Sequence, residues 1–447
     1  MSGWPPTESS RVPLGGCDRY LLALEDYMTS AGQGRHAAVT FLRVGPGFSP
    51  EVLRDACLRF AAAHPLLGAS LSRGWPGTVP AWRITAAPAE IEVCGHEPDT
   101  DAAALAGRLM DGRWPGLLRF DVVPSSGGGA TVLMSWSHLL FDARGAEMAL
   151  SEIARLSGSP DLDPGVRQSW GVPDASCSGF AERLRNVRVF VDRYYELRSR
   201  RVVSLGPSPP AASESRCMFL HFSESETESL RRRGEHLTAG IFVMPYFLAV
   251  AMRAHAAVLE ARGVRDGALE CAISAQNRKR GALDPVWQNQ VSQLFFSLDL
   301  RQTGSLPQAA VALQEQFAAM TRSGCDSAFL IMINWMRRLP PFLYRRFLRR
   351  TASGHITSFY HAHTGTFLAG TADFCGGALL DGWHAPSVSQ PPGTGIFLSE
   401  CRGCLTLSLC WRDGTLSAQE RHLMLSRLRE DLLGGEAATA VLPPAAA

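Results

Sequence analysis

The sequence predicts a mixed α/β (α+β) fold with two comparable subdomains. The chain has 447 residues, enough for two ordinary domains with a core each. Hydrophobic residues make up 46% and charged residues 19%, as in a globular protein. On both sides of one long break, segments that alternate like strands are mixed with segments that have the period of helices, which is typical of this fold class.

A stretch rich in proline, glycine and serine divides the chain. It includes "SGSPDLDPG", "GVPDASCSG" and "LGPSPPAASES", and one predicted helix at 180–201 lies inside it. Such composition marks connecting segments. We therefore predict an N-terminal subdomain at 1–160, a linker with one helix at 161–215, and a C-terminal subdomain at 216–447.

The first half reads as strand, helix, strands, helix. "HAAVTFLRV" predicts a strand, and "SPEVLRDACLRFAAAHP" a helix that begins after the N-cap Ser49, with Pro50 in its first turn, and ends before Pro65. Short strands "PAWRIT" and "EIEVC" and a helix near 101–112 follow. "LLRFDVVP" and "ATVLMSW" predict a strand pair joined by "SSGGG".

The second half repeats this pattern. "CMFLHFS" predicts a strand, "SESETESLRRRGEHL" a helix, and the segment around 241–261 a buried helix. "ALECAISAQ" and "QLFFSLDL" predict strands, followed by the helix "LPQAAVALQEQFAAMT". "GIFLSECRG" and "CLTLSLCWRDG" predict a hairpin, and a final helix is expected at 417–433.

Charge and composition exclude several classes of protein. A net charge of +2 gives no electrostatic case for binding nucleic acid or an anionic membrane. No apolar run reaches the ~18 residues of a membrane span, and "MSGWPPTESSRVPLGG" lacks a signal-peptide pattern. The 11 cysteines suggest no disulfide framework, so we expect reduced thiols in a cytoplasmic protein. The lone CxxC of Cys401 and Cys404 lacks a second pair for zinc.

One stretch carries candidate chemistry. "TVLMSWSHLLFDARGAEMAL" at 131–150 begins as a strand and ends as a helix, with His138 and Asp142 between them. A neutral imidazole at a strand end can take a proton from a hydroxyl or amine. The carboxylate can bind loop N–H groups or pair with a distant arginine. A purely structural histidine and an N-cap aspartate are the alternatives that these residues leave open.

Several segments resemble the chloramphenicol-acetyltransferase-like superfamily. This group includes condensation domains of nonribosomal peptide synthetases, polyketide-associated acyltransferases, wax ester synthases and plant alcohol acyltransferases. "SHLLFDA" at 137–143 stands where the family has HHxxxDG. "RFAAAHPLLGASL", "ISAQNRKRGALDPVWQNQVSQLFFSLDL", "SFYHAHTGTF", "ADFCGGALLDGWHAP" and "PPGTGIFLSECRGCLTLSLCWRDGTLSAQE" resemble further family segments in order. The resemblance covers nearly the whole chain and implies two such subdomains in a V shape with a central tunnel.

The resemblance assigns roles to residues. His138 matches the family's base, and Asp142 the aspartate that pairs with an arginine of the second half. Arg278 matches that arginine best, with Arg280 and Arg144 as lesser candidates. The pair would tie the two halves together across the channel.

Two positions depart from the family motif. Ser137 replaces the first histidine, and we expect it to be buried, to face away from the tunnel and to bond to nearby backbone. Its hydroxyl and loop N–H groups near Gly145 are nevertheless candidate oxyanion donors. Ala143 replaces a glycine, which would be strained if the backbone needs a positive φ there. Gly145 is expected to take over that freedom.

Other residues are candidates for the tunnel wall. Asn289 matches an asparagine that the family often has near the channel. His361 and His363 would share one face of a strand, and one of them is a candidate to line the acceptor pocket. A metal would need a third ligand, so no metal site is predicted.

The implied reaction is acyl transfer from a thioester to a small alcohol or amine, giving an ester or amide. The donor would be acyl-CoA or a phosphopantetheinyl acyl carrier protein, and no cofactor would be permanently bound. A basic patch at Arg345 to Arg350 would favour coenzyme A, and a broader basic and apolar patch a carrier protein. Two alternatives stay open, a free-standing condensation enzyme and a catalytically silent module that recruits a partner protein.

Overall fold

A computed structural model describes residues 11–75, 77–84, 89–159, 161–162, 179–207, 211–238, 240, 243–278, 286–348 and 356–434. The strands are β1 (Arg11–Pro13), β2 (Ala37–Val44), β3 (Ser70–Ser72), β4 (Ala81–Arg83), β5 (Glu92–Gly95), β6 (Leu118–Pro124), β7 (Ala130–Ser137), β8 (Ser215–His221), β9 (Ala268–Gln276), β10 (Val291–Asp299), β11 (Tyr360–Thr366), β12 (Asp373–Phe374), β13 (Gly377–Pro386), β14 (Thr394–Cys401) and β15 (Cys404–Arg412). The helices are α1 (Gly16–Ser30), α2 (Pro50–Ala63), α3 (Ala102–Met110), α4 (Ala143–Ser157), α5 (Phe180–Arg198), α6 (Glu224–Leu237), α7 (Met244–Ala261), α8 (Leu306–Ser323), α9 (Cys325–Met336), α10 (Pro341–Leu348) and α11 (Ala418–Leu433).

Two larger sheets organise the chain. The first has six strands in the order β12-β13-β2-β7-β6-β5, and the second has four in the order β11-β14-β15-β8. A three-stranded sheet, β1-β4-β3, and a two-stranded sheet, β10-β9, complete the pairing among the described strands. Helices pack beside these sheets, so the predicted mixed α/β class is confirmed.

Local sequence signals mark the element ends. The hydroxyl of Ser49 accepts the Val52 N–H at 3.2 Å and caps α2, whose first residue is Pro50. Ser417 caps α11 in the same way through the N–H of Glu420. These caps satisfy amide groups that the first helical turn leaves without partners.

The sequence-based division of the chain needs one correction. β13 lies far along the C-terminal half, yet it pairs antiparallel with β2 in the six-stranded sheet, with Ala385 opposite Val39. β12 follows it at the sheet edge. The pairing buries the β2 edge, which no strand from 1–160 covers. Residues 163–178 and 208–210 of the predicted linker lie outside the described residues, and α5 is the helix expected inside it.

Hydrophobic packing forms a core in each half and a third cluster between them. The first core lies between α2, α4 and one face of the six-stranded sheet, and the second surrounds the buried helix α7. The third cluster contains Phe41, Leu133 and Trp383 from the six-stranded sheet, with Phe397 and Cys410 from the four-stranded sheet. Burial of these apolar groups holds the two halves together. No helix among the described ranges is long and apolar enough to cross a membrane.

Candidate active site

The turn between β7 and α4 forms one wall of the candidate site. It starts after Ser137 and ends at Asp142, and the side chains of Leu139, Leu140 and Phe141 are buried beneath it. The Leu140 carbonyl accepts the N–H of Gln288, a residue of the second half. The three apolar side chains and this bond fix the backbone on either side of the polar residues.

Asp142 joins the two halves and caps a helix at once. Its Oδ1 accepts the Gly145 N–H at 2.9 Å, which makes it the N-cap of α4. Its Oδ2 accepts the Gln290 N–H at 2.9 Å. Arg278 Nη1 lies 2.7 Å from both carboxylate oxygens, and the two side chains are only 2% and 6% exposed. The predicted Asp142–Arg278 contact is therefore present, and the capping alternative holds as well.

The other arginines considered for this pair are placed elsewhere. Arg144 pairs with Glu147 on its own helix. Arg280 lies outside the described residues. Arg278 is held further by the Gln288 carbonyl, 3.2 Å from its Nη2.

The expected strain at the altered motif glycine is wrong. Ala143 is the first residue of α4, and neither it nor Gly145 has a positive φ. Gly145 is needed for space instead. A Cβ there would lie 2.5 Å from the Val286 carbonyl oxygen and 2.5 Å from the Phe141 Cβ, far inside contact distance. The glycine thus lets the second half approach the start of the helix.

His138 lines a cavity at the end of β7. Its backbone is fixed on both sides, because its N–H donates to the His36 carbonyl at 3.0 Å and its carbonyl accepts from Asn289 Nδ2 at 2.8 Å. Burial lowers the pKa of His138, and the charge of Asp142 opposes this in part. The imidazole is therefore neutral near pH 7 and able to accept a proton.

Asn289 positions this histidine. Its Nδ2 also donates to Asp18 Oδ1 at 3.0 Å, and its backbone N–H donates to the same oxygen at 2.9 Å. Asp18 lies on α1, fully buried, and burial raises the pKa of its carboxyl to about 6. Sequence reasoning did not identify Asp18, because an isolated aspartate in a helix carries no local signal of its distant partners.

The cavity has a volume of about 170 Å³ and is walled by both halves of the chain. For comparison, an engineered cavity of about 150 Å³ holds benzene. Its described lining residues carry no Lys, Arg, Asp or Glu; they are Cys17, Tyr20, Leu21, Leu24, His36, Ala38, Trp136, His138, Ala143, Ala272, Ser274, Asn289, Val291, Gln293, Phe329, Ile356, Thr357, Tyr360, His361, Ala362, Thr364, His384, Pro386, Ser387 and Phe397. Such a wall suits an uncharged group of modest size.

The two histidines of β11 differ in position. His361 is part of the cavity wall, and burial lowers its pKa to about 3. His363 is outside the wall and packs edge-on against Phe247, with ring centroids 4.9 Å apart. Within the described part of the chain, no group of three or more His, Cys, Asp or Glu residues is arranged to hold a metal ion.

Ser137 is buried and is not part of the cavity wall, whereas Trp136 and His138 on either side of it are. The expected hydrogen bond is absent, since its Oγ has no partner among the described residues. The Gly145 N–H is engaged by Asp142. Ser137 Oγ therefore lies away from the cavity, and the Gly145 N–H is used within the protein; the other loop N–H groups near Gly145 stay candidate oxyanion donors.

A second histidine, His36, stacks on His138 and was not identified from the sequence. The two rings lie 4.7 Å apart between centroids and 10° from parallel. They meet because β2 and β7 are antiparallel with Ala37 opposite Ser137, so the next positions face each other. Register between distant strands is not readable from either strand alone.

Comparisons with known proteins give no match in sequence but several in structure. No family model matches the chain, and neither does any curated protein. The structure is similar to trichothecene 15-O-acetyltransferase from Fusarium sporotrichioides, with a TM-score of 0.71, 14% identity, and coverage of 96% of this chain and 97% of that one. It is also similar to the first condensation domain of the CDA synthetase, with a TM-score of 0.67, 16% identity and 98% of each chain covered.

A third similar structure is polyketide synthase associated protein 5 from Mycobacterium tuberculosis, with a TM-score of 0.63, 12% identity, and coverage of 96% of this chain and 100% of that one. The resemblance inferred from the sequence motifs is thus confirmed at the level of the fold. At such low identity the likeness shows the fold alone.

Proposed function

We propose that this protein is an acyltransferase that moves an acyl group from a thioester to an alcohol or amine. The observation that carries the proposal is His138, an imidazole kept neutral by burial, fixed by its backbone on both sides, and open to an uncharged cavity between the two halves. Similar folds in an acetyltransferase and in condensation domains support the same class of reaction.

The site's chemistry follows from this geometry. The acceptor hydroxyl or amine gives its proton to His138 as it attacks the thioester carbonyl carbon. The carbonyl π electrons move to oxygen, the carbon–sulfur bond then breaks, and the thiolate leaves with the proton from His138. Asp142, Arg278 and Asn289 hold the loop and take no proton. The thioester is already activated, so neither a covalent acyl-enzyme nor a bound cofactor is needed.

The donor is acyl-CoA or an acyl group on a phosphopantetheinyl carrier protein, and one surface favours the carrier. Trp335, Phe342 and Leu343 on α9 and α10 are 43%, 65% and 40% exposed. Beside them Arg337 and Arg338 have no ion pair with any described residue, so an acidic partner is favoured. The basic patch expected at Arg345 to Arg350 lies partly outside the described residues, which exclude the Arg345 side chain and residues 349–350.

Intact-mass detection of acyl transfer tests the proposal. The full chain is mixed with a panel of acyl-CoA thioesters and acyl-loaded carrier proteins, and with small alcohols and amines. We expect His138→Ala to lower turnover by about 10²–10⁴-fold, the usual contribution of a general base, with an unchanged fold by circular dichroism. Near wild-type turnover by this variant would overturn the assignment.

Charge reversal of the patch separates the donors. Replacing Arg337 and Arg338 by glutamate should raise KM for a carrier-bound donor and leave KM for the same acyl-CoA unchanged. Equal effects on both donors would contradict carrier docking at α9 and α10. Carrier binding without any turnover across the panel would favour the silent recruiting module over an enzyme.

A further inference from the structure

His36 and His138 form a pair of parallel imidazoles in one wall of the cavity. Both rings are in contact, with centroids 4.7 Å apart, and both residues line the cavity. The backbone of His36 is anchored at both ends of the residue. Its N–H donates to Glu25 Oε2 at 3.2 Å, and its carbonyl accepts the His138 N–H at 3.0 Å. The position of the pair is therefore set before any ligand binds.

The ring nitrogens of both histidines make no hydrogen bond with the described residues. Nδ1 of each is buried and has no hydrogen-bond partner among the described residues. Nε2 of each also has no partner within the described chain, but it is not sealed off by protein atoms. Since the rings stack with centroids 4.7 Å apart, a ligand that contacts one ring lies close to the other.

Acyl transfer needs a hydrogen-bond donor that neither Ser137 Oγ nor the Gly145 N–H supplies. When the nucleophile attacks, negative charge develops on the thioester oxygen, and a hydrogen bond there stabilises the transition state. Ser137 Oγ is buried outside the cavity wall, and the Gly145 N–H is taken by Asp142. Asn289 Nδ2 is likewise occupied, by Asp18 and the His138 carbonyl.

His36 satisfies this need. Burial lowers its pKa, so the ring is neutral near pH 7 and carries one N–H. It lies against the proposed base, where the reacting carbonyl must come. The Thr357 hydroxyl in the same wall donates to the Glu270 carbonyl at 2.7 Å. His361 also lines the cavity and has no hydrogen-bond partner on either ring nitrogen among the described residues, but its ring packs against Phe359 and not against His138.

We propose that His36 is a catalytic residue that donates a hydrogen bond from Nε2 to the thioester carbonyl oxygen as it becomes an oxyanion. The inference rests on the proposed acyl transfer at His138. In the step, the acceptor's oxygen or nitrogen bonds to the carbonyl carbon, its proton goes to His138, and the carbonyl electron pair moves to the oxygen held by His36. Collapse re-forms the carbonyl and breaks the carbon–sulfur bond, and the thiolate takes the proton from His138.

Three variants at His36 separate hydrogen-bond donation from packing. His36→Phe keeps an aromatic ring for the stack and lacks the N–H. We expect kcat to fall by about 10²–10³-fold, the usual effect of losing one oxyanion donor, with little change in KM for either substrate. His36→Gln and His36→Met have similar size, and only Gln has a donor, so kcat of the Gln variant should exceed that of the Met variant by about 10-fold or more.

A control comes from a buried stacked histidine elsewhere. His255 stacks on Phe359 with centroids 4.1 Å apart and is not in the cavity wall. His255→Phe should lower the melting temperature and leave kcat of the folded protein unchanged. If His36→Phe does not fold, the Gln and Met variants still decide the question.

The outcomes are distinct. Equal kcat for the Gln and Met variants, or wild-type kcat for His36→Phe, overturns the role of His36. A raised acceptor KM with unchanged kcat also overturns it, since His36 then only binds the acceptor. If His138→Ala is fully active in the same assay, the proposed acyl transfer at His138 is wrong, whatever the His36 variants show.

Discussion

Two buried Asp–Arg pairs join the N-terminal and C-terminal halves of this chain, and they serve different ends. Asp142–Arg278 and Asp111–Arg412 both have an N–O distance of 2.7 Å. The side chains are 6% and 2% exposed in the first pair and 4% and 0% in the second. By distance and burial alone the two pairs could not be told apart.

Their surroundings differ. Asp142 caps the helix that follows His138 and takes the N–H of Gln290. Asp111 ends α3 and accepts the Ser215 hydroxyl at 2.9 Å. Arg412 donates to the Val388 carbonyl at 2.7 Å, and neither it nor Asp111 is part of the cavity wall. The comparison teaches that one kind of contact can shape a site in one place and only hold two halves together in another.

The largest effect is expected at the first pair. Asp142→Ala leaves Arg278 buried without its partner, which costs about 3–5 kcal/mol of unfolding free energy. It also frees the loop that positions His138, and a displacement of ~1 Å can cost about 10²-fold in rate. Denaturant unfolding and kcat at low temperature measure the two losses. A stable but inactive variant, or an active but unstable one, would contradict this dual role.

The second pair should show the stability effect alone. Asp111→Ala leaves Arg412 unpaired and should also cost about 3–5 kcal/mol. Because this pair is outside the cavity wall, kcat per folded molecule should stay at the wild-type value. A loss of kcat as large as that of Asp142→Ala would show that the two pairs do not differ as described.

A smaller effect tests how closely the second half must approach the first pair. Gly145→Ala places a Cβ 2.5 Å from the Val286 carbonyl oxygen and should cost about 1–3 kcal/mol through overpacking. Gly158 at the other end of α4 is a matched control, since its nearest neighbour would be the Ala154 carbonyl oxygen at 3.8 Å. Thermal melts of both variants measure the difference. Equal stability of the two would contradict the close approach.

The smallest effect concerns pH. His138 must be neutral to take a proton, and burial lowers its pKa below the ordinary 6.5. The acid limb of kcat/KM should therefore lie below pH 6.5, with full activity above it. The Asp142 charge raises the pKa of His138, so Asp142→Asn should move the limb to still lower pH, and Asp111→Asn should leave it in place. A limb above pH 6.5 in the wild type would contradict the buried neutral base.

Local signals in the sequence were sufficient to predict most of the helices and strands. The Ser49 cap with Pro50 located α2, and the alternation of 130–137 followed by an apolar helix located β7 and α4. α1 was not predicted, because Asp18 and Arg19 are buried within it and interrupt the apolar stripe that marks a helix. Buried polar groups of this kind depend on partners that are distant in sequence.

In the candidate site, too, the contacts that depend on partners distant in sequence could not be predicted. The pairing of Asp142 with Arg278 followed from the family motif. The stack of His36 on His138 depends on the register of β2 against β7, and the space required at Gly145 depends on the path of residue 286. Both are properties of the folded chain, and no spacing within the motif encodes them.

The placement of β13 beside β2 has a consequence for how the protein is made. Its partner β2 leaves the ribosome early, while β13 lies near the end of the chain. At about 5–20 residues per second, the edge of β2 has no native partner for tens of seconds of synthesis. An unpaired edge is a template for aggregation. The β2 edge is therefore open to such pairing until β13 emerges, and the six-stranded sheet that begins with β2 is completed only near the end of synthesis.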